Sequence, residues 1–314
     1  MKQLIDTIPW FICDKEDQNL CTYVDTDSNY FSAYPILKHK YPEIDSMGPK
    51  EVDNLTESIG MKMQDVLNDF YKEELAPKTF NIGDRENFLE MKTECVIRSG
   101  YFRNTRRYAQ WITKSEGIEK ESLDIKGLEF MKANFPPILG KFFNKILKEV
   151  LKGEEHQNII NQIKIFKSQI LEDISIYELG NPTAVKKLEK YTGTSARVGE
   201  MFTQIEKGAP ASVRAAIKYN DLLKFWKLDK QFNLITQADK VKWIYLKDNP
   251  YKIEALAFMT SGVPPKIEEF LNRYADRKKV FESILLNKLE GFFSDLGWSL
   301  SLNPHLDKFK TFVI

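Results

Sequence analysis

Asp25 and Asp27 stand two residues apart in the string Tyr23-Val24-Asp25-Thr26-Asp27-Ser28. In a regular strand that spacing puts both carboxylates on one face. At the tip of a hairpin they repel each other unless a cation lies between them, and their hard oxygens favour Mg²⁺, which binds at roughly 2.0–2.1 Å and keeps several waters. Glu94, in a later apolar stretch, could supply a third carboxylate. A basic, aromatic segment then follows: Arg98, Arg103, Arg106, Arg107 and Lys114 put five positive charges and no acid into residues 98–114, interleaved with Tyr101, Phe102, Tyr108 and Trp111. Arginine forks match phosphate oxygens two at a time, and aromatic faces pack on sugars or bases. Carboxylates that gather a divalent metal beside cations that hold phosphates are what phosphoryl transfer needs.

Each piece also has a plainer reading. Asp, Thr and Ser are turn formers, so Asp25-Thr26-Asp27-Ser28 also makes an Asx-type turn without metal. Glu94 alone suits a solvated strand residue, and a charge run suits a solvated face. A calcium loop is excluded. Asp25, Asp27 and Asn29 fit its first ligand positions, but Tyr30 stands where glycine is required and Ile36 where a bidentate Glu belongs. The segregation of charge favours phosphate contact. Residues 43–74 carry nine acids against three bases, yet the whole chain balances 46 basic against 45 acidic residues. A chain so close to neutral is no uniformly basic nucleic-acid binder, but it keeps a local basic patch.

The elements that must position these groups follow from patterning. Leu20–Val24 and Asn29–Tyr34 are rich in aromatic and β-branched residues and read as two strands around the acidic turn. Trp10-Phe11-Ile12 is a candidate partner for the first. Ile59, Met63, Val66, Phe70 and Leu75 recur at helical spacing, which predicts an amphipathic helix with an acidic outer face, stopped by Pro77. Phe88–Ile97 reads as a strand carrying Glu94. After Gly127 the pattern turns helical. Ile138, Phe142, Ile146 and Val150 form one apolar face, and Ile160, Ile163, Phe166 and Ile170 another. Asn181-Pro182 resembles an N-cap followed by proline at the first helical position. Residues 209–226 and 265–290 read as further helices. The expectation is an α+β chain: an antiparallel sheet with helices over 1–127, then a mostly α-helical part over 128–314.

The 314 residues suit two domains, and 42% hydrophobic with 29% charged residues suits a folded rather than a disordered chain. Apolar runs such as Ala255–Met259 are far too short for a bilayer, so no membrane association is expected. Met1 is followed by Lys2-Gln3-Leu4-Ile5-Asp6 with no long apolar run, so no secretory signal is expected. Cys13, Cys21 and Cys95 are odd in number and lack C-x-x-C spacing, which fits a reducing cytosol better than disulfides or structural zinc.

Tyr23-Val24-Asp25-Thr26-Asp27-Ser28 resembles the Y-x-D-T-D-S motif of family B DNA polymerases. Met91–Ile97 looks like the palm strand bearing that family's additional acidic residue, here Glu94. Gly100-Tyr101-Phe102-Arg103-Asn104-Thr105-Arg106-Arg107-Tyr108-Ala109 resembles its G-F/Y-x-x-x-K-K-R-Y-A segment, which grips the primer-template duplex. Arg106 stands where the family often has Lys, so the charge is kept and the geometry differs. Lys126-Gly127-Leu128-Glu129 is similar to the palm-to-thumb transition, and Ala209–Asn220 resembles a thumb motif of the T-even-type bacteriophage enzymes. Asp248-Asn249-Pro250 sits where those enzymes have a G-N-P turn. These landmarks occur in the family's order across essentially the whole chain.

The resemblance implies DNA-directed DNA polymerase chemistry, with primer-template DNA and dNTP as partners in a bacterial host cytoplasm. It makes Asp25 and Asp27 catalytic. Asp27 bridges two Mg²⁺ ions roughly 3.5–4 Å apart, one activating the 3′-hydroxyl and the other holding the triphosphate. Glu94 is the further metal-associated acid. Thr26, Ser28, Arg106, Arg107 and Tyr108 contact DNA near the primer terminus. Arg214 and the helix start at Asn181-Pro182-Thr183 contact phosphates farther along. Phe309–Ile314 corresponds to a terminus that docks into a sliding clamp in related polymerases; packing on its own thumb is the alternative. No D-x-x-S-L-Y-P palm motif or K-x-x-x-N-S-x-Y-G fingers helix lies upstream of Asp25, so the implied protein is the C-terminal part of a split polymerase. It needs an N-terminal fragment in trans and is inactive alone. A rival class is a non-catalytic duplex-DNA-binding thumb module. A metal nuclease is disfavoured, because no His or Lys base accompanies the carboxylates.

Overall fold

The computed structural model describes residues 20–25, 28–80, 85–128, 130, 132–193 and 202–300. The chain divides into two compact units, Met1–Gly127 and Leu128–Ile314. About 48% of the structure is helical and 21% strand, and its sheets are antiparallel, so the fold is α+β. Among the described residues no helix is long and apolar enough to cross a membrane.

In the first unit β1 (Cys21–Asp25) and β2 (Ser28–Phe31) form a hairpin, with Tyr23 opposite Tyr30 and Asp25 opposite Ser28. The second strand ends earlier than its sequence predicts. Pro35 seats itself in the first turn of helix α1 (Tyr34–Lys40), where its missing N–H costs nothing. Helix α2 (Pro49–Phe70) buries Ile59 and Met63 against Leu20, Ala33, Ile36, Leu37 and Ile44. It does not stop before Pro77. A π-helical stretch, Tyr71–Thr79, carries the chain through the proline, and the Phe80 N–H closes on the Leu75 carbonyl at 3.2 Å. The wider register accommodates a residue that can make no ordinary helical bond.

The three-stranded sheet β3 (Cys95–Asn104), β4 (Arg107–Ser115), β5 (Ile118–Lys126) is a meander. Its first strand begins at Cys95, not at Phe88; before it, Met91 and Thr93 pair backbone groups with the side chains of Asn68 and Gln64 of α2. The expected acidic outer face of α2 is only partly outside. Asp53 is buried with the Arg98 guanidinium, and Lys114 Nζ reaches Glu57 Oε2 and Asn54 Oδ1, each at 2.6 Å. Buried charges persist when paired in this way.

In the second unit α3 (Pro137–Leu151) and α4 (His156–Glu172) form a helical hairpin in which Phe142 stacks on Phe166, centroids 3.8 Å apart. The buried stripe of α3 is Leu139, Phe143, Ile146, Leu147 and Leu151; only Ile146 belongs to the stripe predicted from periodicity. After the short helix α5 (Ile176–Leu179), Asn181-Pro182 opens a strand rather than a helix. This β6 (Asn181–Ala184) is the edge of a three-stranded antiparallel sheet, and edges are where proline is tolerated. A further short helix, α6 (Leu188–Tyr191), precedes α7 (Ala211–Phe225), which packs on β7 (Lys240–Tyr245) and β8 (Ala255–Met259). The chain then forms α8 (Pro265–Tyr274), α9 (Arg277–Val280), a π-helical turn over Phe281–Leu286, and α10 (Asn287–Asp295). The Arg277 guanidinium closes the end of α4 by donating to the Ile170 and Ile174 carbonyls at 2.8 and 2.5 Å.

Candidate functional site

Tyr23 and Asp25 share one face of β1, as alternation requires. The Tyr23 hydroxyl donates to Asp25 Oδ2 at 3.4 Å and accepts the Arg106 N–H at 2.8 Å. The Arg106 side chain returns to the same acid, with Nε 3.7 Å from Asp25 Oδ1. Ser28 Oγ donates to the Asp25 carbonyl at 3.2 Å, which ties the two strands at their tip. Thr26 and Asp27, between them, lie outside the described residues.

Arg106 occupies the tight turn that joins β3 to β4, with Asn104 paired to Arg107, and takes a left-handed backbone with φ 59°. Beneath it Gly127 is indispensable. Its φ is +66°, and a Cβ there would lie 1.9 Å from the Arg106 carbonyl oxygen.

An aromatic quartet fastens the two hairpins. Tyr23, Tyr30, Phe102 and Tyr108 lie with centroids 5.5 to 6.0 Å apart, and the Tyr30 and Tyr108 hydroxyls meet at 3.4 Å. Lys126 Nζ stands 5.6 Å from the Tyr108 ring centre. Burial pushes both phenols above their ordinary range, and the shared hydrogen bond raises Tyr30 further. Cys95 is raised by burial, then by the nearby charges of Glu94 and Asp124.

The basic run therefore divides. Arg98 and Lys114 are turned to acids of α2 and serve the fold. Arg103, Arg106 and Arg107 lie on the exposed turn region. Tyr108, expected to contact DNA, is buried at 2% exposure and packs within the quartet. Glu94 is exposed, immediately before β3, and its carbonyl accepts the Glu116 N–H at 2.8 Å. Among the described residues no three His, Cys, Asp or Glu side chains come together. The described donors do not by themselves form a metal centre, so the fit of Mg²⁺ to this turn depends on Asp27.

In the second unit, Arg214 lies in the first turn of α7. Its Nη1 donates to the Ala209 carbonyl at 3.0 Å, and Nη2 lies 3.6 Å from Glu254 Oε2. The expectations for Trp10–Ile12, Cys13, Glu129 and Phe309–Ile314 fall on residues outside the described ones. Tyr23, Phe102 and Gly127 lie within the sequence motifs but carry no role of their own there, and Tyr30 is named only as the residue that excludes a calcium loop. The period-two spacing of Tyr23 and Asp25 was the available signal. The contact with Arg106, 83 residues later, had none.

The chain matches no protein-family model and no curated protein.

Proposed function

We propose that this chain is the C-terminal part of a family B DNA-directed DNA polymerase, half of the palm followed by the thumb, which works with a second polypeptide carrying the rest of the palm and the fingers. The observation that carries the reading is the Tyr23 hydroxyl, held between Asp25 and the Arg106 N–H. It joins the acidic Y-x-D-T-D-S-type turn to the basic turn. Nucleotidyl transfer needs the same pairing of carboxylates with phosphate-holding cations.

On this reading Asp27 and carboxylates from the second polypeptide would hold Mg²⁺, with Glu94 as the further acid that the resemblance implies. Bound there, the metal supplies activation of the primer 3′-hydroxyl and charge neutralisation at the dNTP triphosphate. Asp25 and Tyr23 orient Arg106, which together with Arg107 holds duplex backbone near the primer end. Thr26 and Ser28 flank the terminus. Arg214 serves phosphates farther along, and the balance of 29 basic against 22 acidic residues over 128–314 favours that contact. The C-terminal aromatics would dock into a sliding clamp, in a bacterial host cytoplasm.

The test is to mix the full chain with a polypeptide bearing the D-x-x-S-L-Y-P and K-x-x-x-N-S-x-Y-G strings, and to follow primer extension with Mg²⁺. Template-dependent extension by the mixture, absent from either chain alone, is expected. Duplex binding with no extension by any such mixture would leave only the duplex-binding module.

A further inference from the structure

The end of α7 carries a large ring that the core does not cover. Phe225, its last residue, keeps 46% of its exposure. It stands on three further rings. Phe225 meets Tyr251 in an edge contact, centroids 5.8 Å apart, and Tyr251 lies 5.6 Å from the buried Phe270 of α8. The Trp226 indole N–H donates to the Tyr251 hydroxyl at 3.2 Å, and the Trp226 ring lies 6.0 Å from Phe270. Asn249 fixes the turn that presents Tyr251. Its Oδ1 accepts the Tyr251 and Ile253 N–H groups, both at 3.2 Å, and its Nδ2 donates to the Lys247 and Ile253 carbonyls at 2.8 and 2.7 Å. The ring of Phe225 is therefore held on a rigid support with one side open to solvent.

Lysines surround it. Residues 223–232 hold Lys224, Lys227 and Lys230 against one acid, Asp229. Lys266, in the first turn of α8, puts its Nζ 4.8 Å from the Trp226 ring centre. Asp248, the acid of the Tyr251 turn, is already engaged by Lys252 Nζ at 2.8 Å. Lys227 stands where the fold would sooner have glycine. The chain leaves α7 with the Leu228 N–H turned back to the Leu223 carbonyl at 2.8 Å, and Lys227 takes a left-handed φ of 58°. A lysine kept in that conformation beside an exposed ring points to a use for its charge.

We infer that Phe225, with Lys224, Lys227 and Lys266, is a binding site for single-stranded nucleic acid. An unpaired base stacks on Phe225, and the lysines take phosphates on either side of it. A duplex keeps its base faces stacked inside, so it gains nothing from the ring. A protein partner is the poorer match, because the cores of protein interfaces are depleted of lysine. Nothing in this site requires polymerase chemistry. All its residues belong to the second unit, whereas the Arg106 turn belongs to the first.

The test uses the full chain with a dye-labelled oligothymidylate, read by fluorescence anisotropy over a range of salt, and a blunt duplex as the comparison. Phe225→Leu should weaken oligothymidylate binding about tenfold and leave duplex binding unchanged. Lys224→Gln and Lys227→Gln should each lower the slope of log affinity against log salt by about 0.7. Lys227→Gly separates binding from folding. It relieves the left-handed lysine, so its unfolding midpoint should rise while its salt slope falls as in Lys227→Gln. Oligothymidylate that fails to bind the wild type at low salt, an affinity unmoved by Phe225→Leu, or a wild-type slope in Lys227→Gly each overturns the site. Equal losses on oligothymidylate and duplex overturn the assignment to single strands.

Discussion

Replacing Arg98 by Met should destabilise the first unit far more than its place in an exposed-looking basic run suggests. Its guanidinium is the ion-pair partner of Asp53, whose side chain keeps only 8% of its exposure. Breaking a buried pair from one side costs about 3–5 kcal/mol, because the remaining charge is stranded. Arg98 keeps 35% exposure, so water reaches its side of the pair. The expected loss therefore falls to about 2 kcal/mol, between the buried range and the ~1 kcal/mol ceiling of surface pairs. Asp53→Leu combined with Arg98→Met removes both charges and should recover most of that loss, since apolar replacement of a whole buried pair is often neutral. The assay is urea unfolding read from exchange of the Val96 and Trp111 amides. These report the first unit and avoid assuming that both units unfold together. A loss under about 0.5 kcal/mol for Arg98→Met, or a double variant as unstable as the sum of its singles, would refute the reasoning.

Gly127→Ala should cost at least about 2 kcal/mol, from the left-handed backbone and the overlap with the Arg106 carbonyl, and a fluorescence-monitored denaturation that moves by less would show the turn to be pliable. The phenols of Tyr30, Tyr108, Tyr177 and Tyr219 are all raised above the ordinary 10.0, chiefly by burial. Their neutral forms therefore stabilise the fold fully below about pH 10, and that contribution disappears as pH climbs through the raised values. A phenolate absorbance titration should show late-ionising tyrosines together with alkaline unfolding; complete ionisation near pH 10 with the fold intact would contradict the burial. Arg106→Gln and Arg107→Gln should each lower the slope of log affinity for duplex DNA against log salt by roughly 0.9, and equal slopes would remove these residues from the contact.

How much of this was legible in sequence depended on whether a signal was local. The β1–β2 hairpin announced itself through alternating aromatic and β-branched residues around turn formers, and α2 through Ile59 and Met63 at helical spacing. Asn181-Pro182 misled because an N-cap with proline and an edge strand with proline look alike over four residues; Lys242 and Trp243 of β7, which pair with them, decide the matter. Pro77 misled because a π-helical register, which admits it, has no signature in hydrophobic periodicity. The start of β3 was misplaced because Gln64 and Asn68 satisfy the backbone before it with side chains, which hydrophobic periodicity does not register. Part of the site could be read from spacing alone, since Tyr23 and Asp25 lie two apart. The Arg106 turn, the quartet and Gly127 come together only through pairing across the sheet.

The most direct test of the central claim is single-turnover primer extension by the mixture of chains with Asp27→Ala beside the wild type. In Asp27→Ala extension should vanish while duplex affinity is retained. Extension that persists in Asp27→Ala at the wild-type rate would contradict it.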